Sequence, residues 1–316
     1  MEYLKFVLSL GMMILGANVL VSGAVVLAKR FRVSPLLIGL LLIGFGTSFP
    51  ELTTSFLSMI HGQTDLAVGN VVGSNIANIL LVLGVAAVLR PIPIQSASFK
   101  RDAVFLAISA FVLLISLWQK RIGWELGILM CMTLFFYVYH AYQTDKKSLK
   151  DKVVAVQYVA LSKRFYISTP LALVVMACGL ILTLVGADYL LESVLNIFGR
   201  WGVSEVIIGL TIVALGTSLP ELVTSIIASI RKESDVALGN VVGSNIYNAL
   251  FILGITALFR PVSVPGSDWF RIDLLVMILA TALLLGLGLV RKKITRHMGI
   301  ACLVAYLVYL IYLGVR

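Results

Sequence analysis

The chain has 316 residues, of which 60% are hydrophobic and 13% are charged, with a mean hydropathy of +1.03 and a formal net charge of +10. This composition excludes an ordinary soluble domain, in which about 25% of residues are charged, and it excludes a disordered chain. No nucleic-acid partner is expected, because the 25 Lys and Arg residues fall in short clusters between apolar runs, which is the pattern of membrane-flanking charge.

Ten apolar segments are each long enough to cross a lipid bilayer as a helix, which takes about 20 residues. In chain order, the predicted spans are 4–28, 34–60, 66–89, 101–118, 123–142, 166–190, 204–230, 236–259, 271–290 and 297–315. The first segment is too long for the core of a signal peptide, so we expect it to remain in the protein. The chain is therefore predicted to be an all-α integral membrane protein with ten transmembrane helices.

The polar stretch 143–164 divides the predicted spans into an N-terminal half, 1–142, and a C-terminal half, 165–316, with five spans in each. If the N-terminus faces outward, 18 of the 25 Lys and Arg residues fall on the inner side. Because cytoplasmic loops carry an excess of positive charge, we expect a multi-pass plasma-membrane protein. Both termini are predicted to be extracellular and the 143–164 linker to be cytoplasmic.

The most informative feature of the sequence is an internal repeat. Residues 34–94 align with residues 204–264 at a constant offset of 170 without a gap, and roughly half of the aligned positions are identical. Because each half has an odd number of predicted spans, the second copy enters the membrane from the opposite side. Such inverted-topology repeats are typical of secondary transporters, which bind their substrates near the bilayer midplane.

Each copy of the repeat places a glutamate, Glu51 or Glu221, near the middle of a predicted span. An acidic side chain at that depth costs at least about 2.5 kcal/mol, so it indicates a functional site. Each glutamate follows a proline, which removes a backbone donor and loosens the helix. The carbonyls expected to be freed are those of residues 44–47 and 214–217.

Further side-chain oxygens recur around each glutamate at helical spacing. They are Thr47, Ser48, Ser74 and Asn78 in the first half, and Thr217, Ser218, Ser244 and Asn248 in the second half. An all-oxygen set without His or Cys suits Ca²⁺ and also Na⁺, but not zinc or copper. Two carboxylates balance the charge of one Ca²⁺, so competition between Ca²⁺ and Na⁺ for one site is expected.

Other residues have simpler interpretations. A structural glutamate pair or a fixed structural ion is the alternative for Glu51 and Glu221, although the duplicated oxygen neighbours favour transport. Asp188 and Glu192 stay open between a gate, an interhelix hydrogen bond and ion contact, because Asn18 and Ser22 occupy the equivalent positions. We expect packing at Gly69, Gly73, Gly239 and Gly243, and hydrogen bonds to the local backbone at Thr54, Ser55, Thr224 and Ser225.

At these residues the chain resembles the sodium/calcium exchanger family within the wider cation/calcium antiporter group. The family signature is a GTSxPE element followed by a GNxxGSNxxN element, once in each repeat. The matching strings are GTSFPEL at 46–52 with GNVVGSNIAN at 69–78, and GTSLPEL at 216–222 with GNVVGSNIYN at 239–248. The resemblance implies a prokaryotic type of exchanger that moves Na⁺ against Ca²⁺ by alternating access, with no enzymatic activity, organic cofactor or obligate protein partner.

The resemblance also implies roles for individual residues. Glu51 and Glu221 would be the carboxylates shared by Ca²⁺ and Na⁺, and the Thr47 and Thr217 carbonyls would complete the calcium shell. Sodium positions would involve Ser48, Ser218, Ser74, Ser244, Asn78 and Ala214, with Gly44 at the position equivalent to Ala214. Asn248 departs from branches that have an aspartate there, the potassium-dependent exchangers among them, which argues against potassium co-transport.

Three other functions compete with this interpretation. The nearest is a Ca²⁺/H⁺ antiporter, but proton-coupled members of the superfamily carry a GNxxE string in place of GTSxPE. A passive cation channel would have no need of alternating access. An intramembrane protease lacks support, because the sequence offers neither a His-containing catalytic set nor paired intramembrane aspartates.

Overall fold

The fold is that of a computed structural model, which describes residues 2–94, 96–151, 168–200 and 214–315. Within these residues the chain is almost entirely helical, with four strands of two residues each. The helices of the N-terminal half are α1 (Glu2–Phe31), α2 (Pro35–Ile38), α3 (Gly44–Thr47), α4 (Phe49–Ile60), α5 (Thr64–Ala77), α6 (Leu83–Leu89), α7 (Ser96–Gln119) and α8 (Trp124–Asp151).

The helices of the C-terminal half repeat this pattern. They are α9 (Thr169–Arg200), α10 (Ala214–Thr217), α11 (Leu219–Ile230), α12 (Ser234–Ile246), α13 (Leu253–Phe259), α14 (Asp268–Gly286) and α15 (Arg296–Val315). The bounds of α10, α11 and α13 equal those of α3, α4 and α6 plus 170. The sequence repeat is therefore a structural repeat in these segments.

Seven described helical segments are long and apolar enough to cross a membrane, and the bent helix from Pro35 to Ile60 makes an eighth. The fourth predicted span coincides with α7, and the seventh overlaps α10 and α11. Its first part, residues 204–213, lies outside the described residues. The membrane-spanning class is confirmed, whereas the count of ten helices stays a prediction. Of the predicted linker, residues 143–151 continue α8, and 152–164 lie outside the described residues.

The two helices that carry the glutamates are broken where the prolines predict. α3 ends at Thr47 and α4 begins at Phe49, with a bend of 42° between the two arms. Ser48, at the break, has φ −79° and ψ 10°, and Ser218 has nearly the same geometry, with φ −90° and ψ 6°. Pro50 cannot donate a backbone hydrogen bond, so the helix restarts at this point with a new N-terminus.

Three π-helical segments adjoin these breaks and the amides of the predicted site. Gly39–Ile43 leads into Gly44, and Asn78–Val82 and Tyr247–Ile252 contain Asn78 and Asn248. A π-helical turn shifts the hydrogen-bonding register of the backbone and is frequent at functional sites. The segments at Asn78 and Asn248 thus interrupt the regular helix at equivalent positions in the two halves.

The long helices α1 and α9 pack against each other in antiparallel directions. Gly16 lies beside Thr183 and Gly23 beside Met176, so contacts advance along one helix as they recede along the other. A Cβ atom on Gly16 would lie 2.5 Å from the Thr183 backbone nitrogen, so the two backbones are in direct contact. Small residues permit this approach, which is a common mode of helix packing in membranes.

Two short antiparallel sheets join the halves reciprocally. Strand β1 (Ile92–Pro93) pairs with β4 (Lys293–Ile294), and β2 (Arg121–Ile122) pairs with β3 (Val262–Ser263). Each sheet therefore takes one strand from each half.

The core lies around the α5–α6 and α12–α13 segments, which are the most buried of the membrane-length helices. Gly239 and Gly243 pack there as predicted: a Cβ atom on Gly239 would lie 2.3 Å from the Leu36 carbonyl oxygen, and one on Gly243 2.5 Å from that of Leu40. Gly69 and Gly73 have no described atom within 4 Å of such a position. Their equivalent neighbours, residues 206 and 210, lie outside the described residues, so packing at those glycines stays a prediction.

Candidate cation-binding site

The two glutamates of the repeat meet inside the bundle. Glu51 lies in the first turn of α4 and Glu221 in the first turn of α11, and both side chains are 0% exposed. The carboxylates are close enough to interact electrostatically. The positive end of each restarted helix offsets part of the cost of burying a carboxylate there.

Glu221 is held by hydroxyl groups from both halves. Ser48 Oγ donates a hydrogen bond to Glu221 Oε1 at 3.2 Å, and Ser244 Oγ lies 3.5 Å from the same oxygen. Ser244 Oγ is also 3.2 Å from the Gly44 carbonyl oxygen, so its single proton has two acceptors. Ser48 and Ser244 are thus brought together at the Glu221 carboxylate, and Ser244 links it to the Gly44 carbonyl.

This arrangement corrects one expectation from helical spacing. Ser48 is three residues before Glu51, which predicted that both would share a face of one helix, yet its hydroxyl donates to Glu221 of the other half. The reason is the break at Ser48, which turns the serine away from the helical direction of α4. The equivalent Ser218 likewise lies near Glu51 and not with its own glutamate.

Glu51 has a different environment. Neither of its carboxylate oxygens has a hydrogen-bond partner among the described residues. The hydroxyls of Ser74 and Ser218 are near enough to interact with the carboxyl without forming a hydrogen bond of normal geometry. A buried carboxylate in this condition is costly unless an ion or another polar group satisfies it.

The predicted amides are also buried and unpaired. Asn78 and Asn248 are both 0% exposed, and neither the oxygen nor the nitrogen of either amide has a partner within the part of the chain that the structure describes. Native proteins pair the large majority of such atoms. These amides therefore fit a site that receives a ligand.

The remaining predicted residues lie at the helix breaks. Thr47 Oγ1 lies 3.1 Å from both the Ile43 carbonyl oxygen and Asn240 Oδ1, so its hydroxyl is already occupied by protein acceptors. Thr217 is 8% exposed at the end of α10. Ala214 opens α10, the position equivalent to Gly44 in α3.

Two asparagines that the sequence analysis missed support the glutamates. Asn70 Nδ2 donates to the Glu51 carbonyl oxygen at 3.2 Å and to Ser55 Oγ at 3.0 Å. The second half repeats these bonds from Asn240 to the Glu221 carbonyl oxygen and Ser225 Oγ, at 3.2 and 3.0 Å. Ser55 Oγ donates to the Ala67 carbonyl oxygen at 3.5 Å, so the expectation of a hydrogen bond to its local backbone was wrong for Ser55. The Asn partners of the two serines were visible in the sequence as the duplicated Asn of each GNVVGSN string.

A further pair of asparagines joins the halves where the repeats meet. Asn75 Nδ2 donates to the Asn245 carbonyl oxygen at 3.3 Å, and Asn245 Nδ2 donates to the Asn75 carbonyl oxygen at 3.4 Å. The two residues are 170 positions apart. Reciprocal bonds between equivalent residues indicate a local two-fold relation between α5 and α12.

No Lys, Arg or His side chain of the described residues forms an ion pair with either glutamate. The described residues also contain no group of three or more His, Cys, Asp and Glu side chains placed to hold a metal. Any cation at this point would therefore be held by two carboxylates and neutral oxygens. Such hard oxygen ligands suit Ca²⁺ and Na⁺ rather than transition metals.

Membrane-length helices surround two fully buried carboxylates that are close enough to interact electrostatically, which is the arrangement of an integral membrane protein with a candidate cation site. Comparison with known sequences gives the family. The model of the family described as "Sodium/calcium exchanger protein" matches residues 2–143 and 171–315. The chain therefore belongs to the sodium/calcium exchanger family, a family of membrane cation antiporters, as its duplicated motifs predict.

Several relatives match over nearly their whole length. The putative antiporter CaxA of Alkalimonas amylolytica is 35% identical over 303 residues, covering 94% of both chains. The sodium/calcium exchanger MaX1 of Methanosarcina acetivorans is 30% identical, covering 99% of this chain and 98% of its own. A solved structure of the sodium-calcium exchanger NCX_Mj, soaked with zero Na⁺ and Ca²⁺, superposes with a TM-score of 0.84 at 29% identity, covering 99% and 98% of the two chains.

Proposed function

We propose that the chain exchanges Na⁺ for Ca²⁺ across the plasma membrane by alternating access, with Glu51 and Glu221 as ligands shared by both ions. The observation that carries the proposal is the pair of fully buried carboxylates, one from each half, with three of their four oxygens unpaired among the described residues. One Ca²⁺ balances two carboxylates. Because the same carboxylates serve Na⁺, the two ions displace each other, and this competition couples their movements.

The neutral ligands follow from the position of each group. The carbonyls of Thr47 and Thr217 complete the calcium shell beside the glutamates. Sodium positions use the hydroxyls and amides of Ser48, Ser218, Ser74, Ser244 and Asn78, with the Ala214 carbonyl and its equivalent at Gly44. The amide of Asn248 takes the place of a third carboxylate, so potassium has no role in the proposed cycle. The short distances from Ser244 to Gly44 and Glu221 support one continuous site.

The proposed architecture is two five-helix repeats of opposite orientation. The antiparallel contact of α1 and α9, which occupy equivalent places in the two halves, supports it. The reciprocal Asn75–Asn245 bonds and the two strand pairs that join the halves also support it. The distribution of Lys and Arg favours extracellular termini and a cytoplasmic linker.

The relatives agree with this choice of ions. MaX1 is named a sodium/calcium exchanger, and structures of NCX_Mj were solved after soaking with Na⁺ and either Ca²⁺ or Sr²⁺. Full-length similarity to both proteins favours sodium as the coupling ion. A Ca²⁺/H⁺ antiporter is the competing assignment.

The test is Ca²⁺ uptake by proteoliposomes that contain the purified protein and carry an imposed outward Na⁺ gradient. We expect rapid uptake that collapses when Na⁺ is replaced by choline and does not change when K⁺ is added or removed. Uptake that ignores Na⁺ and follows an imposed pH gradient would replace this proposal with proton exchange. Passive Ca²⁺ flux without any counter-ion would indicate a channel.

A further inference from the structure

A buried acid lies outside the cation site, among the residues that the sequence assigns to the polar linker. Asp145 is the last residue of the membrane-length part of α8, and it is only 3% exposed. An aspartate is almost never buried to this extent unless its carboxylate is paired. The partners of Asp145 therefore show which part of the fold it serves.

Both oxygens of Asp145 accept hydrogen bonds from one residue, Ser34. The Ser34 backbone nitrogen donates to Oδ2 at 2.6 Å, and the Ser34 hydroxyl donates to Oδ1 at 2.9 Å. Ser34 is the N-cap of α2, and its Oγ accepts in turn from the Leu37 backbone nitrogen at 3.1 Å. This contact, the Asp145–Ser34 clamp, places a negative charge at the start of a helix, where the helix dipole favours it.

Ser34 directly precedes the helical arm that leads to the cation site. The arm runs from Pro35 to Thr47 through α2, a π-helical segment and α3. Its last turn presents the Gly44 carbonyl oxygen, which lies 3.2 Å from Ser244 Oγ. At a rise of 1.5 Å per residue, the clamp lies about 15 Å from Gly44 along the arm. A displacement of the helix start is therefore passed on to a proposed ligand.

The arm packs along α12 through glycines. A Cβ atom on Gly39 would lie 2.7 Å from the Val236 carbonyl oxygen, and one on Gly44 2.9 Å from the Ser244 backbone nitrogen. Glycine contacts bring two backbones close together, but they offer no side chain that interlocks with the partner helix. Such packing determines the distance between the helices better than the position of the arm along its own axis. The directional hydrogen bonds at Ser34 supply that axial restraint.

The clamp is joined to a buried polar cluster between α7 and α8. Arg101 Nε donates to Asp102 Oδ1 at 2.6 Å, and Arg101 Nη1 donates to the Ala141 carbonyl oxygen at 3.0 Å. Tyr137 Oη donates to the same Asp102 oxygen at 3.1 Å. Arg101 is also close enough to Asp145 to interact with it electrostatically. The clamp thus ties the arm to two helices that carry no proposed cation ligand.

The sequence repeat does not duplicate the acid of the clamp. An offset of 170 places Ser204 opposite Ser34, but it places Val315 opposite Asp145. Ser204 lies outside the described residues. A valine side chain accepts no hydrogen bond, so the acid at this position is particular to the half that carries Gly44.

We propose that Asp145 is a positioning residue that fixes the arm so that the Gly44 carbonyl meets the sodium position. Groups that hold a metal ligand in place tune the affinity of a site without touching the ion, and Asp145 does so through the start of the arm. The inference rests on the proposed exchange activity, in which Gly44 lines a sodium position. It gives a role to a buried carboxylate that the proposed site leaves unused.

The experiment measures the Na⁺ concentration for half-maximal Ca²⁺ uptake by proteoliposomes that contain the full-length protein. Asp145→Ala removes both bonds of the clamp and should raise this concentration by about fivefold, less than the tenfold or more that loss of a group directly behind a metal ligand costs. Asp145→Asn keeps one acceptor oxygen and should cause a smaller rise. The maximal rate of uptake should change little in either variant.

Tyr137→Phe is the matched control. It removes a buried hydrogen bond of the same polar cluster, on the same helix, and leaves the clamp intact. We expect both Tyr137→Phe and Asp145→Ala to lower the midpoint of thermal unfolding, but only Asp145→Ala to raise the Na⁺ concentration for half-maximal uptake. A purely structural role for Asp145 predicts that the two variants behave alike in both measurements, and this result would overturn the proposal.

A double variant tests whether Asp145 acts through Ser34. Ser34→Ala removes one of the two bonds and should raise the Na⁺ concentration for half-maximal uptake by about twofold. Adding Ser34→Ala to Asp145→Ala should cause little further rise, because the clamp is already lost. Additive increases would mean that the two residues act independently and would contradict the proposal. Asp145→Asn and Ser34→Ala carry the test if Asp145→Ala does not fold.

The outcomes separate this inference from the proposed exchange. A parental Na⁺ requirement in Asp145→Ala and Asp145→Asn would overturn the inference even if Na⁺-driven uptake by the parent protein is normal. Uptake by the parent protein that ignores Na⁺ would instead overturn the exchange assignment. The Ca²⁺ concentration for half-maximal uptake then decides the matter, since the Thr47 carbonyl lies on the same arm: a rise in Asp145→Ala but not in Tyr137→Phe supports positioning, and equal values contradict it.

Discussion

Glu51 and Glu221 lie in nearly identical local sequences but differ in the hydrogen bonds that their carboxylates accept. The strings GTSFPEL and GTSLPEL differ at one position, and both are followed by GNVVGSN. Yet Glu221 Oε1 accepts a hydrogen bond from Ser48, while both oxygens of Glu51 lack partners among the described residues. The local sequence cannot produce this difference, so its cause is tertiary. The halves also differ in packing, since α1 lies along α11 while α9 and α4 make no comparable contact between the described helices. The asymmetry is thus expected to belong to one state of the transport cycle.

The largest effect is expected from Glu51→Gln and Glu221→Gln. Each removes one of the two charges that balance Ca²⁺, and loss of a buried charged partner costs about 3–5 kcal/mol, a factor of a hundred or more. Both variants should abolish Na⁺-driven Ca²⁺ uptake in proteoliposomes. The exposed Glu125→Gln is the matched control and should keep full activity. Substantial flux in either site variant would remove that residue from the site and break the equivalence of the halves.

The next prediction concerns packing at Gly239 and at its equivalent in the first half, Gly69. In Gly239→Ala, the new methyl group meets the Leu36 carbonyl oxygen, so stability should fall by about 1–3 kcal/mol. The repeat predicts a similar loss for Gly69→Ala, measured as thermal unfolding in detergent. Gly286→Ala, with no described atom within 4 Å of its new methyl group, is the control. An unchanged midpoint for Gly69→Ala alone would show that the halves pack differently there.

A smaller effect is expected at the buried amides. Asn78→Ala and Asn248→Ala each remove one proposed oxygen ligand, so the Na⁺ concentration for half-maximal exchange should rise by about tenfold, the cost of one hydrogen bond to an ion. Asn75→Ala is the control, because its amide joins the halves and serves no proposed ion position. If the Na⁺ dependence of exchange in Asn78→Ala or Asn248→Ala matches that of Asn75→Ala, the amide that was removed is not an ion ligand.

The smallest effect is expected from removing the serine hydroxyls that lie beside the two glutamates. Ser48 bonds to Glu221, whereas the equivalent Ser218 lacks a hydrogen-bond partner among the described residues. If the halves exchange roles during the cycle, Ser48→Ala and Ser218→Ala should each reduce the exchange rate by about threefold. A loss confined to Ser48→Ala would mean that the asymmetry is permanent.

The position of the site was readable from the sequence, because prolines and acids are rare within apolar spans and these recur at a fixed offset. The helix breaks at Ser48 and Ser218 followed from the prolines by the same reasoning. The hydrogen-bond partners of the serine hydroxyls could not be predicted from the sequence. Ser48 reaches Glu221, and Ser55 accepts from Asn70, only because separate helices meet at defined angles.

The packing of α1 along α11, without a comparable contact of α9 with α4 between the described helices, also lies beyond the sequence. The motifs of the two halves are nearly equal, whereas a contact such as the one from Arg231 to Asn18 joins residues that the repeat does not duplicate. Glu192 pairs with Lys5 of α1, whereas its equivalent Ser22, like Asn18, bonds to Arg231. Pattern analysis found the duplicated residues and left the unduplicated ones unassigned.

The central claim is that glutamates from both halves form one site for which Ca²⁺ and Na⁺ compete. Equilibrium binding of radioactive Ca²⁺ to the purified protein tests it most directly, with Na⁺ as competitor and with Glu51→Gln and Glu221→Gln beside the parent chain. The account predicts saturable Ca²⁺ binding that Na⁺ displaces and that either substitution eliminates. Ca²⁺ binding that persists in one of the two variants, or that Na⁺ does not displace, would contradict it.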